Sequence, residues 1–426
     1  MSRFVPCVVA LLLTWPSTAS PQWPVTSCTT LGKNLFVRDA MSDIYLWHTE
    51  LPGANPAEFD SPEAYLEAVR YRPLDTTFSY ITSRAANDAF FDDSAYIGFG
   101  FSTEVAGDEM RVLQVFPDSP ASEAGITRGA RIVAIDGRAV VDLLAEGTLD
   151  SAFGPVQVGA ESAVDFVLPT GGRRSTRLVK RVVTIPTVSL TRVYEMDRRR
   201  IGYVFFRNFV RPSNDALDAA FAQLAESHVD DLVLDLRYNG GGLVAVARHL
   251  ASLIGGVRTR DQVFAQYVHN DRNTRRNQVL RFEDTASGPG FERLIVITTR
   301  SSASASELVI NALRPFIPVV IVGDRTYGKP VGQYQIDFCD KMLAPVSFVV
   351  QNANGEGDYF EGLAPDCGAA DEVDRELGDP AEASLHEAIT FAMTGACTPR
   401  PRALERTVDR RRAPRAVGWQ SVVNAY

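Results

Sequence analysis

Between Ile201 and Val322 the chain alternates two textures. Runs that are apolar almost throughout, "IGYVFF" (201–206), "DLVLDL" (231–236), "RLIVIT" (293–298) and "PVVIV" (318–322), are separated by segments in which apolar side chains recur every three or four positions. Those segments are "DALDAAFAQLAES" (215–227), "LVAVARHLASLI" (243–254) and "SASELVINALRPF" (304–316). The first pattern predicts strands covered on both faces, the second helices with one packed side. Their alternation predicts a parallel sheet flanked by helices, because parallel strands need a crossover that packs back on the sheet. The segment 96–185 reads differently, as short strands and glycines: "MRVLQVF" (110–116), a turn, a short helix "ASEAG" (121–125), then "RIVAI" (131–135) running into an Asp136-Gly137 hairpin turn. Residues 30–90 predict helices, one carrying Leu35, Val37, Met41, Ile44, Tyr45 and Trp47 on a broad stripe. A second begins with Ser61 as cap, Pro62 at its first position and Glu63 in its first turn.

Composition narrows the class. A chain of 426 residues with 45% hydrophobic content has room for two or three domains, each with its own core. The formal charge is −9, and from Thr398 onward seven arginines face only Glu405 and Asp409, a surplus of five that leaves −14 on the remainder. An acidic body excludes a broad nucleic-acid surface, and the basic tail reads as a solvated terminus. Residues 1–20 read as a secretory leader, with Arg3, the apolar "FVPCVVALLLTW" and the small residues "STAS"; twelve apolar-biased residues are too few to span a bilayer. Export leaves Cys28, Cys339, Cys367 and Cys397, enough for up to two disulfides whose pairing the spacing leaves open. No histidine stands in ligand spacing to them, so no zinc site and no other metal or cofactor is expected. "VTSC" (25–28) offers lipid attachment as the one route to a membrane.

Parallel strands direct the loops after their carboxyl ends to one sheet edge. Three of those loops carry unusual chemistry: "RYNGGG" (237–242), "TRSSASASE" (299–307) and "GDRTYGKPVGQ" (323–333). Bare glycines let backbone N–H groups face a ligand oxygen, a helix start adds positive potential, and a serine there needs a base to accept its proton. A lysine serves as that base when burial keeps it neutral, so Lys329 is a candidate partner for a serine of the second loop. None of the five histidines lies in these loops; His249 reads as a core or boundary residue and His269 as one that approaches from an adjoining segment.

The order of elements over 93–185, with "SPASEAGI" and "IVAIDG" at its centre, resembles a PDZ domain, with Ala130 where that family usually has Asp. The resemblance implies a peptide C-terminus added as a strand, its carboxylate met by the N–H groups of Phe99, Gly100 and Phe101. "LDLRYNGGGLV", "SASASE" and "TYGKPVGQ", with "IGYVFFRNF" before and "FEGLAPDC" after, resemble the catalytic domain of the C-terminal processing peptidases, or tail-specific serine proteases. That likeness implies an α/β fold, α+β overall: a crotonase/ClpP-like catalytic domain with a parallel sheet and helices, preceded by a helical region and a PDZ domain. The expected units are a leader (1–20), an N-terminal helical region (21–92), the PDZ domain (93–185), a Ser-Lys peptidase domain (186–397) and a basic tail (398–426). The family motif puts the nucleophile on Ser304, the base on Lys329, the glutamine that orients it on Gln333, and the oxyanion donors on the N–H groups of Gly241 and Ala305. Pro330 stands where the family usually has Gly, which removes a donor and stiffens the loop. Ser302 and Ser306 read as capping or packing residues, Glu307 as a helix-terminus charge, and Asp235 with Arg237 as an ion pair at a strand end.

The resulting expectation is an exported serine endopeptidase of the periplasm or cell envelope, acting on proteins and peptides with flexible C-termini and binding no nucleic acid. Two alternatives stand beside it: a catalytically silent PDZ-bearing peptide-binding protein, and an acyl-thioester enzyme using the same paired N–H groups.

Overall fold

The computed structural model describes residues 23–399 apart from 24, 26, 198, 286 and 287, so the expected leader and all but the first two residues of the basic tail lie outside the described residues. The parallel sheet predicted from the apolar runs is present, with six strands in the order Val188–Met196, Arg199–Phe206, Asp231–Asp235, Leu294–Thr298, Val319–Gly323 and Cys367–Gly368. The first pair is antiparallel and every later pair parallel. Alternate side chains go to opposite faces, as strand geometry requires. Val204, Phe206, Leu232, Leu234, Val296 and Ile321 pack against the helices Ser213–Glu226, Val244–Gly255 and Ala305–Leu313. Tyr203, Phe205, Val233, Ile295, Ile297 and Val322 face the helix Ala383–Thr394, which the sequence reading did not anticipate. Both faces are dry, which explains why these strands read as unbroken apolar runs.

Residues 99–179 build a separate core. Strands Phe101–Ala106, Glu109–Val115, Arg131–Ile135, Glu161–Val167 and Arg173–Val179 form a consecutive antiparallel path with Phe101–Ala106 at its edge, packed with the short helices Pro120–Glu123 and Val140–Glu146 around Phe99, Phe101, Met110, Ile132, Leu143 and Phe166. The predicted hairpin turn is there, with Asp136 and Gly137 at φ +48° and +79°. The N-terminal helices Thr30–Ile44 and Pro62–Val69 pack on each other and on a small sheet of Tyr80–Ser83, Lys341–Ala344 and Ile336–Phe338, so the beginning of the chain is built into its second half. A Cys28–Cys339 disulfide fixes that junction, and Cys367–Cys397 ties the last sheet strand to the segment after the final helix. With its sulfur in a disulfide, Cys28 is not available for the lipid attachment that "VTSC" suggested. Among the described residues no helix is long and apolar enough to cross a membrane.

One buried charge cluster joins the units. Arg237, fully buried at the end of strand Asp231–Asp235, reaches Asp235 at 2.7 Å, Asp371 at 3.0 Å and Glu382 at 2.9 Å. Arg128, from the turn before strand Arg131–Ile135, shares Asp371 at 2.9 Å and donates to the Tyr238 hydroxyl at 2.8 Å. The expected Asp235–Arg237 pair is therefore one edge of a larger network that fixes the glycine loop's first residues. Removing one member of such a cluster leaves uncompensated buried charge. Arg237→Met is expected to lower unfolding free energy by about 3–5 kcal/mol in denaturant titration; an unchanged midpoint would show that the cluster does not hold this junction.

Candidate active site

The serine loop and the glycine loop are locked to each other through one residue, Asn239. Asn239, fully buried, donates from Nδ2 to the Phe206 carbonyl at 2.8 Å, and its backbone carbonyl accepts from the Ala303 N–H at 3.0 Å and the Ser306 hydroxyl at 2.8 Å. Ser302 donates to the Leu236 carbonyl at 2.7 Å. Ser302 and Ser306 are thus cross-links between adjacent strand ends, and the helix cap position belongs to Ser304 itself. Ser304 is held at φ +55°, ψ −111°, a backbone region that non-glycine residues rarely occupy, at a cost of roughly 1–3 kcal/mol met by the surrounding bonds. The strained turn sets Ser304 at the mouth of the helix Ala305–Leu313.

Glycine is required beside it. Gly241 has φ +99°, and a Cβ there would lie 2.7 Å from the Ala303 carbonyl oxygen, 2.8 Å from the Ala305 nitrogen and 2.9 Å from Ser304 Cβ. The Gly241 N–H, expected as an oxyanion donor, donates here to Asn239 Oδ1 at 2.9 Å, and Gly240 and Gly242 line the cavity. The physical reason is the curl of the loop, which turns Gly241 toward the serine strand. The Ala305 N–H, first in its helix, has no hydrogen-bond partner among the described residues.

Glu307 organises the third loop. Its buried carboxylate accepts from the N–H groups of Ser304 at 2.8 Å, Gly328 at 2.7 Å and Lys329 at 2.9 Å, and from the Thr326 hydroxyl at 2.5 Å. Burial pushes its carboxyl pKa up while those four donors pull it down, and burial prevails. Glu307 shows only a helix-terminus role in the sequence, because nothing local indicates that the lysine loop closes over it. Lys329 then extends to Gln333, donating from Nζ to Oε1 at 2.5 Å, while Gln333 Nε2 donates to the carbonyls of Phe78 at 2.6 Å and Ala344 at 2.7 Å. Those two donations fix which end of the amide meets the lysine. Pro330 does not prevent this: its carbonyl accepts from the Val350 N–H at 3.0 Å and its ring lines the cavity.

Ser304, Ala305, Lys329 and Gln333 line one cavity of about 320 Å³, with apolar walls from Phe91, Leu243, Leu308, Val350 and Tyr359. No hydrogen bond links Ser304 to Lys329 in this state; they meet across the shared cavity. Burial lowers the Lys329 pKa from 10.5 to about 8, against the opposing charges of Asp75 and Glu307, which favour the ammonium form. Among the described residues no histidine lines the cavity. His269 stands one residue behind, 2.9 Å from the Tyr334 hydroxyl, and His249 pairs with Asp218 and Glu283.

The chain as a whole is similar to known proteins. A profile of peptidase family S41 matches residues 200–368, and one of the peptidase S41 N-terminal domain matches residues 33–80. The chain carries domains of peptidase family S41. It is 31% identical over 282 residues to the chloroplastic C-terminal processing peptidase of Tetradesmus obliquus, covering 63% of this chain and 58% of that one. With the carboxyl-terminal-processing protease of Picosynechococcus it shares 28% identity, over 57% of this chain and 56% of the relative. The chain thus spans under two thirds of the length of these curated S41 relatives. Among solved structures it is similar to an assigned S41 protease from Bacteroides fragilis, with a TM-score of 0.69 at 25% identity over 88% of this chain and 99% of that one. The photosystem II D1 C-terminal processing protease shares the fold, with a TM-score of 0.54 at 23% identity over 84% of this chain and all of that one.

In this S41 chain the substitution Glu307→Gln keeps the shape but sets an amide donor among donors, and each buried group left unsatisfied costs about 1–3 kcal/mol. Both the melting temperature and turnover of an unfolded protein substrate are expected to fall, turnover by roughly tenfold or more; a variant equal to wild type on both measures would remove Glu307 from the site's framework.

Proposed function

We propose that the chain is an exported serine peptidase acting through Ser304 and Lys329. The observation that carries the reading is a strained serine and a lysine of lowered pKa on one cavity, with an unpartnered helix N–H beside the serine. Ser304 Oγ attacks the substrate carbonyl carbon as its proton passes to neutral Lys329 Nζ. The tetrahedral oxyanion forms against the Ala305 N–H and a second donor from the glycine loop, where Gly241 would serve once released by Asn239. The Lys329 ammonium then returns the proton to the departing amine, leaving an ester on Ser304. Water, deprotonated by Lys329, hydrolyses that ester and restores the hydroxyl. Gln333 keeps the amine aimed at the cavity through the whole cycle.

Recruitment falls to residues 93–185 as a PDZ domain. The edge strand Phe101–Ala106 has one partner strand and an open side on which an extended peptide can add. Phe99 and Phe101 keep their side chains in the core, so they and Gly100 would contribute backbone groups only. Substrates would be proteins with flexible C-terminal segments, a reading supported by relatives whose names speak of C-terminal processing. Two disulfides and the leader-like first twenty residues support export to an oxidising compartment such as the bacterial envelope.

Digestion of an unfolded protein tests the assignment. Ser304→Ala and Lys329→Ala are each expected to reduce cleavage by about a thousandfold or more, and undiminished cleavage by either defeats it. The same assay yields a pH prediction: only neutral lysine accepts the proton, so kcat/KM should rise with pH through a midpoint near 8. A profile that falls between pH values of about 7 and 9 contradicts lysine as the base.

A further inference from the structure

The support for Lys329 comes partly from the opposite end of the chain. Of the two carbonyls that fix Gln333, one belongs to Ala344 and the other to Phe78, in the turn that ends the N-terminal region. The Phe78 ring also lies over the amine, with Lys329 Nζ 5.7 Å from its centroid. Asp75 ties this turn together from within: Oδ1 accepts from the Ser79 N–H at 2.9 Å, and Oδ2 from the Ser79 hydroxyl at 2.5 Å and the Tyr45 hydroxyl at 2.9 Å. Ser79 Oγ in turn accepts from the Val346 N–H at 2.9 Å, and its carbonyl accepts from Arg70 at 2.9 Å. Asp75 is fully buried, which is unusual for a residue with only a turn to hold.

We infer that the Asp75–Ser79 turn is a positioning element that sets both the aim and the protonation of Lys329. The inference rests on the Ser304–Lys329 reading above and adds the N-terminal region to it. The carbonyl of Phe78 orients Gln333 and so the amine, while the carboxylate of Asp75 and the face of Phe78 stabilise the ammonium form. The charged and titratable groups around the lysine are Asp75 and, behind it, Arg70 from the N-terminal region; Glu307 from the serine helix; Tyr327 from its own loop; and Tyr80, Tyr334 and Tyr359 from the cavity walls. Of these, Asp75 and Glu307 act on the lysine by charge, and both oppose the effect of burial. The N-terminal turn therefore restrains the base: it raises the pH at which the amine becomes neutral, in return for holding it in line.

The sign of the effect separates this role from plain structural support. In Asp75→Asn the side chain can still accept, and the Ser79 and Tyr45 hydroxyls can turn to meet the new amide, but the charge is gone. Phe78→Leu keeps an apolar cover and the same carbonyl while removing the aromatic face. Both changes withdraw stabilisation from the ammonium, so the rising limb of kcat/KM on an unfolded protein should move to lower pH, by about half a unit or more. The experiment compares full pH profiles of wild type, both variants and Ser304→Ala, with thermal unfolding run on each. A limb displaced to lower pH in whichever variant folds supports the inference. A limb that stays in place in both, with only the plateau reduced, overturns it and leaves the turn a packing element. Retained cleavage by Ser304→Ala is a different failure, since it removes the serine reading itself.

Discussion

Holding an amine largely out of water is the constraint around which this site is built. Among the described residues Lys329 Nζ has one side-chain hydrogen-bond partner, Gln333; the Phe78 ring lies beside it, the cavity opens before it, and Asp75 and Glu307 act on it by charge. Burial favours the neutral form, and a neutral amine is the only form that can take a proton from a serine. Each neighbouring feature limits that burial or directs it. Glu307 binds the lysine's own N–H and so anchors the loop without forming an ion pair with the ammonium. The amide of Gln333 has both donors committed elsewhere, which leaves an acceptor as the only group it can offer the lysine.

The serine side of the cavity follows a parallel logic in which backbone strain takes the place of desolvation. An uncommon backbone conformation at Ser304 persists because Asn239 and the hydroxyls of Ser302 and Ser306 tie two strand ends together. The same ties bring Gly241 so near Ser304 and Ala305 that no side chain fits, and they occupy its N–H with Asn239. For the Gly241 N–H to serve as the proposed second oxyanion donor, that bond has to exchange. The Arg237 cluster lies immediately before this loop and also contacts Arg128, so the position of residues 99–179 and the conformation of the glycine loop share one set of buried charges.

What could be read in advance was whatever is local or repeats along the chain. The apolar runs at Ile201, Asp231, Leu294 and Val319 announced a two-faced sheet, and the sheet edge then brought the three loops together by topology alone. Ser304, Lys329 and Gln333 could be named as candidates because a motif fixes them in short segments, and the fold brings all three to one cavity. Asn239 was visible too, yet an asparagine before glycines reads as a turn residue, and its ties to Phe206 and Ala303 exist only after two loops meet. Phe78 and Asp75 were out of reach for the same reason: they lie 251 and 254 positions before Lys329, in a region whose helical periodicity predicts packing and nothing more. The helix Ala383–Thr394 was missed because acidic and turn-forming residues crowd its approach from 371 to 382.

The most direct measurement is titration of the Lys329 side chain itself, by NMR with isotope-labelled lysine in the inactive Ser304→Ala protein, with Lys329→Arg identifying the signal. A midpoint near 8 agrees with an amine neutralised by its surroundings. A midpoint near 10.5, that of a lysine in water, would contradict the account.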